Sequence, residues 1–251
     1  MIKEQRIKKI EEYILEKESA SLDELVTVFQ VSKNTIRRDV QELVENGLFK
    51  KVYGGVAVKP KNLESFQERK VRNQIEKTLI GKKAAQYVED GDVIFIDSGT
   101  TTIEMFEHLY EKNLTIITNN IEFIVRSLPY KNLNIISIGG VLERKTNSLG
   151  SPQNIDMLRT YNINKAFMAS TGISLTSGVT NASPLETDVK QMVVQKCHDV
   201  FLLIDHDKFG KYGLMTYCGL DEIDHLITNQ EPSEEYVNYA KENNLEIVIA
   251  N

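Results

Sequence analysis

Residues 21 to 59, SLDELVTVFQVSKNTIRRDVQELVENGLFKKVYGGVAVK, constrain the fold more tightly than any other stretch, because two helix starts, a helix stop and a glycine turn follow one another without slack. Ser21 with Glu24 three residues on is a capping box, which supplies partners for the N–H groups that a helix start leaves open. Leu22, Leu25, Val26 and Phe29 then recur at helical spacing. Val31 ends the apolar stretch, and Ser32 caps a second helix that stops at Asn46-Gly47. The turn between the helices is about three or four residues, the length a helix-turn-helix requires. The run Leu48 to Tyr53, then Gly54-Gly55 and Val56 to Val58, reads as two strands around a glycine turn, a basic wing.

Ile36, Val40, Leu43 and Val44 share one side of the second helix. At ~100° per residue, Arg38 then lies opposite the middle of that stripe, with Asn34, Thr35 and Gln41 to either side and Arg37 nearer the edge. Lys33 sits in the first turn, the end that enters a groove. Arg can donate two hydrogen bonds to guanine, and Asn or Gln can exchange two with adenine. Lys33 and the hydroxyls of Ser32 and Thr35 suit phosphates, as do Lys50 and Lys51 on the wing. A cationic face on one helix is ordinary solvated surface. Its coincidence with two caps, a short turn, a glycine stop and a basic hairpin points to double-stranded DNA, with Ser32, Lys33, Asn34, Thr35, Arg37, Arg38, Gln41, Lys50 and Lys51 as the contacting set.

The helix-turn-helix uses only a fraction of the 251 residues, and a 41% hydrophobic content leaves material for a second core. We expect a DNA-binding domain at 1–58, a linker at 59–75 with a helix beginning near Ser65, and a second domain at 76–251. Residues 1–61 carry 12 Lys/Arg and 10 Asp/Glu, a net of +2, and the other 190 carry 18 and 26, a net of −8. So small a basic surface binds weakly alone, which favours a homo-oligomer, dimer or tetramer, that adds footprints along the duplex. No run approaches the ~20 apolar residues of a membrane span, and Met-Ile-Lys-Glu-Gln-Arg has no apolar signal core, so a soluble cytoplasmic protein is expected. Cys197 and Cys218 form no C-x-x-C pair, and His108, His198, His206 and His225 are scattered. Neither a metal nor a cofactor is expected.

Beyond residue 90, short apolar runs (93–97, 114–118, 134–138, 166–170, 200–204, 225–228) alternate with helical segments (102–110, 121–128, 184–196, 233–243), which predicts an α/β domain with a mostly parallel sheet. Ligands of such sheets gather where strands end and loops lead into helices. After the first strand comes Asp97, Ser98, Gly99, Thr100, Thr101 and Thr102, a hydroxyl-rich loop opening a helix, suited to receive a phosphate on backbone N–H groups. Asn119-Asn120, Gly139-Gly140, Thr171-Gly172 and a loop carrying Lys208 follow the next four strands. Each could be an ordinary cap or turn. Together they predict a site for a phosphorylated small molecule. Neither a Walker A spacing nor a G-x-G-x-x-G fingerprint is present.

The residues also carry a family resemblance, which extends over nearly the whole chain. Ser32, Ile36, Arg37, Arg38, Asp39, Leu43, Gly47, Tyr53, Gly54 and Gly55 match the pattern of DeoR-type bacterial repressors. The second half is similar to the sensor domain of that family through Asp97 to Thr101, Thr118-Asn119, Gly139-Gly140, and Asp205 with Lys208 to Gly210. The resemblance implies a sensor fold like ribose-5-phosphate isomerase. Those isomerases carry an Asp-Gly-Ala-Asp-Glu motif after a central strand, where this chain reads Ala166 to Gly172 without an acid. An isomerase needs a carboxylate to move a proton between carbons, so binding without turnover and no catalytic residue are expected. Val31 to Thr35, Ile96 to Thr102 and Tyr161 to Met168 look most like the myo-inositol catabolism repressors, which implies a phosphorylated keto acid from inositol breakdown as effector.

The expectation is therefore a repressor of a carbohydrate catabolism operon, relieved by a phosphorylated sugar or sugar acid. The alternative is a sugar-phosphate isomerase with an accessory DNA-binding domain. For that, Glu186 and Asp188 could supply carboxylates, although a solvated or pocket-edge position is expected for both. An architectural DNA protein with an inert second domain is a third reading.

Overall fold

The computed structural model describes residues 3–17, 19–45, 49–52, 54–58, 65–151 and 153–251, so the predicted helix stop at Asn46-Gly47, Tyr53 of the wing and the linker residues 59–64 lie outside the described residues. The chain divides into two compact units, Met1–Asn62 and Leu63–Asn251.

The first unit runs α1 (Lys3–Lys17), β1 (Ser19–Ser21), α2 (Leu22–Phe29), α3 (Lys33–Glu45), β2 (Phe49–Val52) and β3 (Gly55–Val58). The Ser21 capping box forms: its Oγ accepts the Glu24 N–H at 3.0 Å, and the Glu24 carboxylate accepts the Ser21 N–H at 3.4 Å. Gln30 ends α2 in the left-handed region at φ 51°. Ser32 caps α3 through the Thr35 N–H at 3.2 Å. Ile36, Val40 and Leu43 bury the inner face of α3 against Leu25, Phe49 and, from α1, Ile10 and Ile14. A fully buried side chain of this kind is worth ~1.5–3 kcal/mol. The wing sheet has three strands in the order β1-β3-β2 rather than the two predicted. At three residues β1 is too short to leave an alternating signature. It approaches β3 so closely that a Cβ on Gly55 would run into the backbone of Ala20 and Ser21.

The second unit begins with α4 (Phe66–Val71) and α5 (Gln74–Ala85), so the stretch expected to link the domains is helical from Ser65 onward. A second capping box, Ser65 with Glu68, starts α4. Buried Lys77 then donates to the carbonyls of Arg69 and Arg72 where α4 ends. There follow β4 (Val93–Ile96), β5 (Leu114–Thr118), α6 (Ile121–Ser127), β6 (Leu133–Ser137), β7 (Val141–Glu143), β8 (Ser148–Gly150), α7 (Asn154–Leu158), β9 (Lys165–Met168), β10 (Gly172–Ser174), β11 (Gly178–Asn181), α8 (Pro184–Lys196), β12 (Asp199–Leu203), β13 (Met215–Cys218), β14 (His225–Thr228), α9 (Glu234–Glu242) and β15 (Glu246–Ile249).

Seven strands form one sheet in the order β15-β14-β12-β9-β4-β5-β6, with every pairing parallel. Both faces are covered, which is why the strands read as unbroken apolar runs. Phe95, Ile117 and Met168 pack with Val189 and Val193 of α8 on one face. Ile94, Ile96, Ile116 and Phe167 pack with Ile80 and Ala84 of α5 on the other. The chain leaves β4 toward β5 and β6, then returns to β9 on the opposite side, so the topological switch point lies between β4 and β9. Two small antiparallel sheets, β7-β8 and β10-β11-β13, are additions whose strands of three or four residues escape pattern reading. The helix expected at 102–110 is a 3-10 helix, Thr102–His108. Its backbone lies so close to α5 that a Cβ on Gly81 would sit 2.7 Å from the Glu104 backbone and side chain.

Candidate functional site

In the first unit, α3 presents two chemically different faces. On the outer one Ser32, Lys33, Asn34, Arg37 and Arg38 are exposed, with Thr35 and Gln41 half-buried. Four of these are engaged locally: Lys33 with Asp23 at 2.5 Å, Thr35 and Ser32 with each other at 2.9 Å, and Gln41 with Glu45 at 2.5 Å. Among the described residues, the side chains of Asn34, Arg37 and Arg38 make no protein hydrogen bond or ion pair, and neither do those of the exposed Lys50 and Lys51 of the wing. Donors left free on an exposed face suit an external polyanion. Asp39, between the arginines and the core, is 1% exposed and accepts from Arg6 Nε at 2.7 Å and Nη2 at 3.2 Å. The Arg6 guanidinium is in turn held protonated by that bond. This pair clamps α1 to α3, a role the sequence reading left unassigned.

In the second unit the switch point carries a dense polar cluster. Asp97 follows β4. Its Oδ2 accepts from the Ala169 N–H at 2.9 Å and from Lys190 Nζ, which also donates to the Ala169 carbonyl at 3.1 Å. Tyr217 donates to the same carbonyl at 3.0 Å, and burial raises its phenol well above the usual value. Gly99 is glycine because a Cβ there would collide with that of Ala169. Thr102 Oγ1 accepts from the Gly99 N–H and donates to the Asp97 carbonyl at 2.6 Å, which folds the loop on itself. Part of the loop is left unpaired although buried: among the described residues, the N–H groups of Ser98, Thr100 and Thr101 and the hydroxyls of Thr100 and Thr101 meet no protein partner. Three free N–H groups in one short turn favour an anion without help from a long helix dipole.

Ser98 Oγ donates instead to Glu186 Oε1 at 3.0 Å, and Ser148 of β8 donates to the same oxygen at 2.6 Å. Glu186 is 5% exposed, which corrects the expectation of a solvated or pocket-edge carboxylate; Asp188 is exposed as expected. The stretch 166–172 has no acid, yet Asp97 and Glu186 bring two carboxylates to its end. Glu186 and Lys190 lie one turn apart on the inner face of α8, in line with Val189 and Val193. A charged i, i+4 pair interrupting an apolar stripe was the available signal.

The other predicted positions divide. Asn119 lies beside Asp97, since Ile96 pairs with Thr118, and its carbonyl accepts the Leu149 N–H at 3.0 Å. Asn120 caps α6 through the Phe123 N–H at 3.2 Å and reaches the Asp97 carbonyl at 3.4 Å. Gly139 and Gly140 are exposed at the entry to the β7-β8 hairpin. Gly172 opens β10 where the Lys211 backbone comes too close for a Cβ, and Thr171 bonds to Thr180, so both serve the small sheet. Lys208 is not brought to the loop by any contact among the described residues. It is half-buried, with its amine pushed below the usual value first by burial, then by Arg72, Arg69 and Lys211, against the attraction of Asp205. The ammonium at the loop is Lys190.

Residues 6–61 match the model of the DeoR-like helix-turn-helix domain, and residues 72–230 that of the DeoR C terminal sensor domain. The chain is 45% identical to the HTH-type transcriptional regulator IolR of Bacillus subtilis over 98% of each chain. It is 30% identical to the HTH-type transcriptional repressor GlcR of the same organism over 99% of this chain and 97% of that one. It is 29% identical to the glycerol-3-phosphate regulon repressor of Escherichia coli over 91% of each. Among solved structures, a D-ribose-5-phosphate isomerase in complex with phospho-erythronic acid shares 14% identity over 54% of each chain, with a TM-score of 0.41.

Proposed function

The chain belongs to the DeoR family of helix-turn-helix transcriptional regulators, and we propose that it represses a carbohydrate catabolism operon until a phosphorylated sugar or sugar acid binds its second unit. The observation that carries the effector half of this reading is the Asp97 to Thr102 loop at the switch point, with three unpaired N–H groups and two free hydroxyls. Likeness to IolR, together with the VSKNT, IDSGTTT and YNINKAFM stretches, favours inositol breakdown as the source of the effector. The operator is read by the outer face of α3, with Lys50 and Lys51 of the wing on phosphates. The site binds without turnover, and its two carboxylates hold Lys190 and the serines in place rather than moving a proton.

Coupling requires that effector have different affinities for the DNA-competent and DNA-incompetent states. Ser98, Thr100, Thr101 and Thr102 are each no more than 6% exposed, so a ligand reaches these groups only if neighbouring residues move. Thr100→Glu places a fixed negative charge in the loop. Stabilisation of the purified protein by phosphorylated sugars should vanish while operator affinity stays within about twofold. Retained stabilisation would remove the loop from the site; loss of operator binding as well would point to a folding defect, checked by the melting temperature without ligand.

A further inference from the structure

The strands flanking the switch point end in oxygens that the protein leaves without partners. Asp97 Oδ1, Asn119 Oδ1, Ser170 Oγ and Ser183 Oγ are all buried and unpartnered among the described residues. In the parallel register Ile96 stands beside both Thr118 and Phe167. Side chains alternate along each strand, and Phe95, Ile117 and Met168 face α8. Asp97, Asn119 and Ser170 come just after these strands end, two residues beyond the α8-facing positions; Lys190 of α8 reaches Asp97, and Ser183 immediately precedes α8. Asp97 Oδ1 and Asn119 Oδ1 can only accept, while the two serine hydroxyls can donate or accept; buried polar groups are normally paired, so these atoms mark a surface built to exchange hydrogen bonds with something else.

The polarity of the cluster says what that something is. Lys190 gives two of its three N–H groups to Asp97 Oδ2 and the Ala169 carbonyl, and the Ser98 and Ser148 protons go to Glu186. What is left unpartnered is acceptor-rich, with a carboxylate oxygen and an amide oxygen that can only accept. A phosphate is also acceptor-only at high pH and is repelled by Glu186 and Asp97. It belongs on the Thr100–Thr101 turn, where N–H groups are free. Vicinal hydroxyls donate, and so match the unpartnered Asp97 Oδ1 and Asn119 Oδ1. We propose, resting on the phosphate loop assigned above, that Asp97 and Asn119 read at least two hydroxyl groups of the effector's carbon chain, with Ser170 and Ser183 completing the hydroxyl-binding half and Glu186 keeping the phosphate out of it. Selection among phosphorylated compounds then lies in their hydroxyl pattern, not in the phosphate.

The full-length chain is melted with sorbitol 6-phosphate, glucose 6-phosphate, hexyl phosphate and inorganic phosphate. At least one polyhydroxylated phosphate should stabilise more than tenfold more effectively in concentration than hexyl phosphate, which should match inorganic phosphate. Asn119→Leu removes an orphaned amide at similar volume. It should weaken the polyhydroxylated phosphate at least tenfold, leave inorganic phosphate unchanged and leave the ligand-free melting temperature equal or higher. Ser183→Ala, with no added bulk, should act in the same direction if Asn119→Leu does not fold. Equal stabilisation by hexyl phosphate, or undiminished affinity in the folded variants, would overturn the hydroxyl-reading pocket and leave the phosphate loop standing. No stabilisation by any of the four compounds would overturn the phosphate loop and this inference with it.

Discussion

Single residues separate the two kinds of work done by the N-terminal unit. Arg37 and Arg38 are adjacent to Asp39, yet the arginines are exposed and without a protein partner among the described residues, whereas Asp39 is buried against Arg6. The Arg6–Asp39 pair is structural: removing one partner of such a pair leaves an uncompensated charge and costs ~3–5 kcal/mol. The arginines are free to meet DNA. Arg38→Ala should weaken binding to a mapped operator by about 1–3 kcal/mol and relax base preference at one position. Arg37→Ala, nearer the edge, should lower affinity more evenly across sequences and flatten its salt dependence. Filter binding or fluorescence anisotropy at several salt concentrations checks both, and unaltered affinity in the two variants would place the DNA on another face. The arginine pattern was legible in the sequence because a helical wheel needs only spacing. Glu186 was not, because its burial depends on Ser98 and Ser148 arriving from 88 and 38 residues away.

At the scale of elements, α4 and α5 show how a polar sequence can hide structure. The sequence reads as a linker at 59–75 with a helix beginning near Ser65; what it does not announce is that Lys77 turns inward, 3% exposed, to hold the carbonyls where α4 ends. Burial, the largest cause, pulls its amine down to about 8 against the attraction of Asp205. The unfolded value is ~10.4, so between these limits the unfolded chain binds more protons than the folded one, and this group's contribution to stability increases as pH rises. The cost at neutral pH is no more than ~3 kcal/mol. Lys77→Met lacks it. The stability difference between the natural chain and that variant should therefore move in favour of the natural chain by up to ~3 kcal/mol between pH 7.5 and 10.5. Urea unfolding of both proteins at the two pH values measures this, and a constant difference would show that Lys77 titrates normally. The 3-10 helix after the phosphate loop is a second case: spacing predicted an ordinary helix at 102–110, and the close approach at Gly81 decided otherwise.

For the molecule as a whole, charge argues for association. Residues 1–61 carry a net of only +2, too little for one copy to hold DNA firmly at physiological salt. Sedimentation at the concentrations of operator binding should show a dimer or tetramer, with a binding isotherm steeper than one site. A monomer that binds one site at full affinity would contradict that expectation. The sequence by itself determined the helix-turn-helix, its caps and outward residues, and six of the seven strands of the parallel sheet, because local periodicity and capping are written in neighbouring residues. It also located the Asp97 to Thr102 loop, since a strand followed by small hydroxyl residues is a local pattern. Only the tertiary structure decided which polar groups meet there. Sheet order sets the switch point between β4 and β9, and that order brings Asp97 to Ala169 and lets Lys190 and Glu186 of α8 reach Asp97 and Ser98. It also sets Asn120 as the cap of α6 and brings the Lys211 backbone against Gly172, because hydrogen-bond partners distant in sequence are fixed by packing and register rather than by any neighbouring residue.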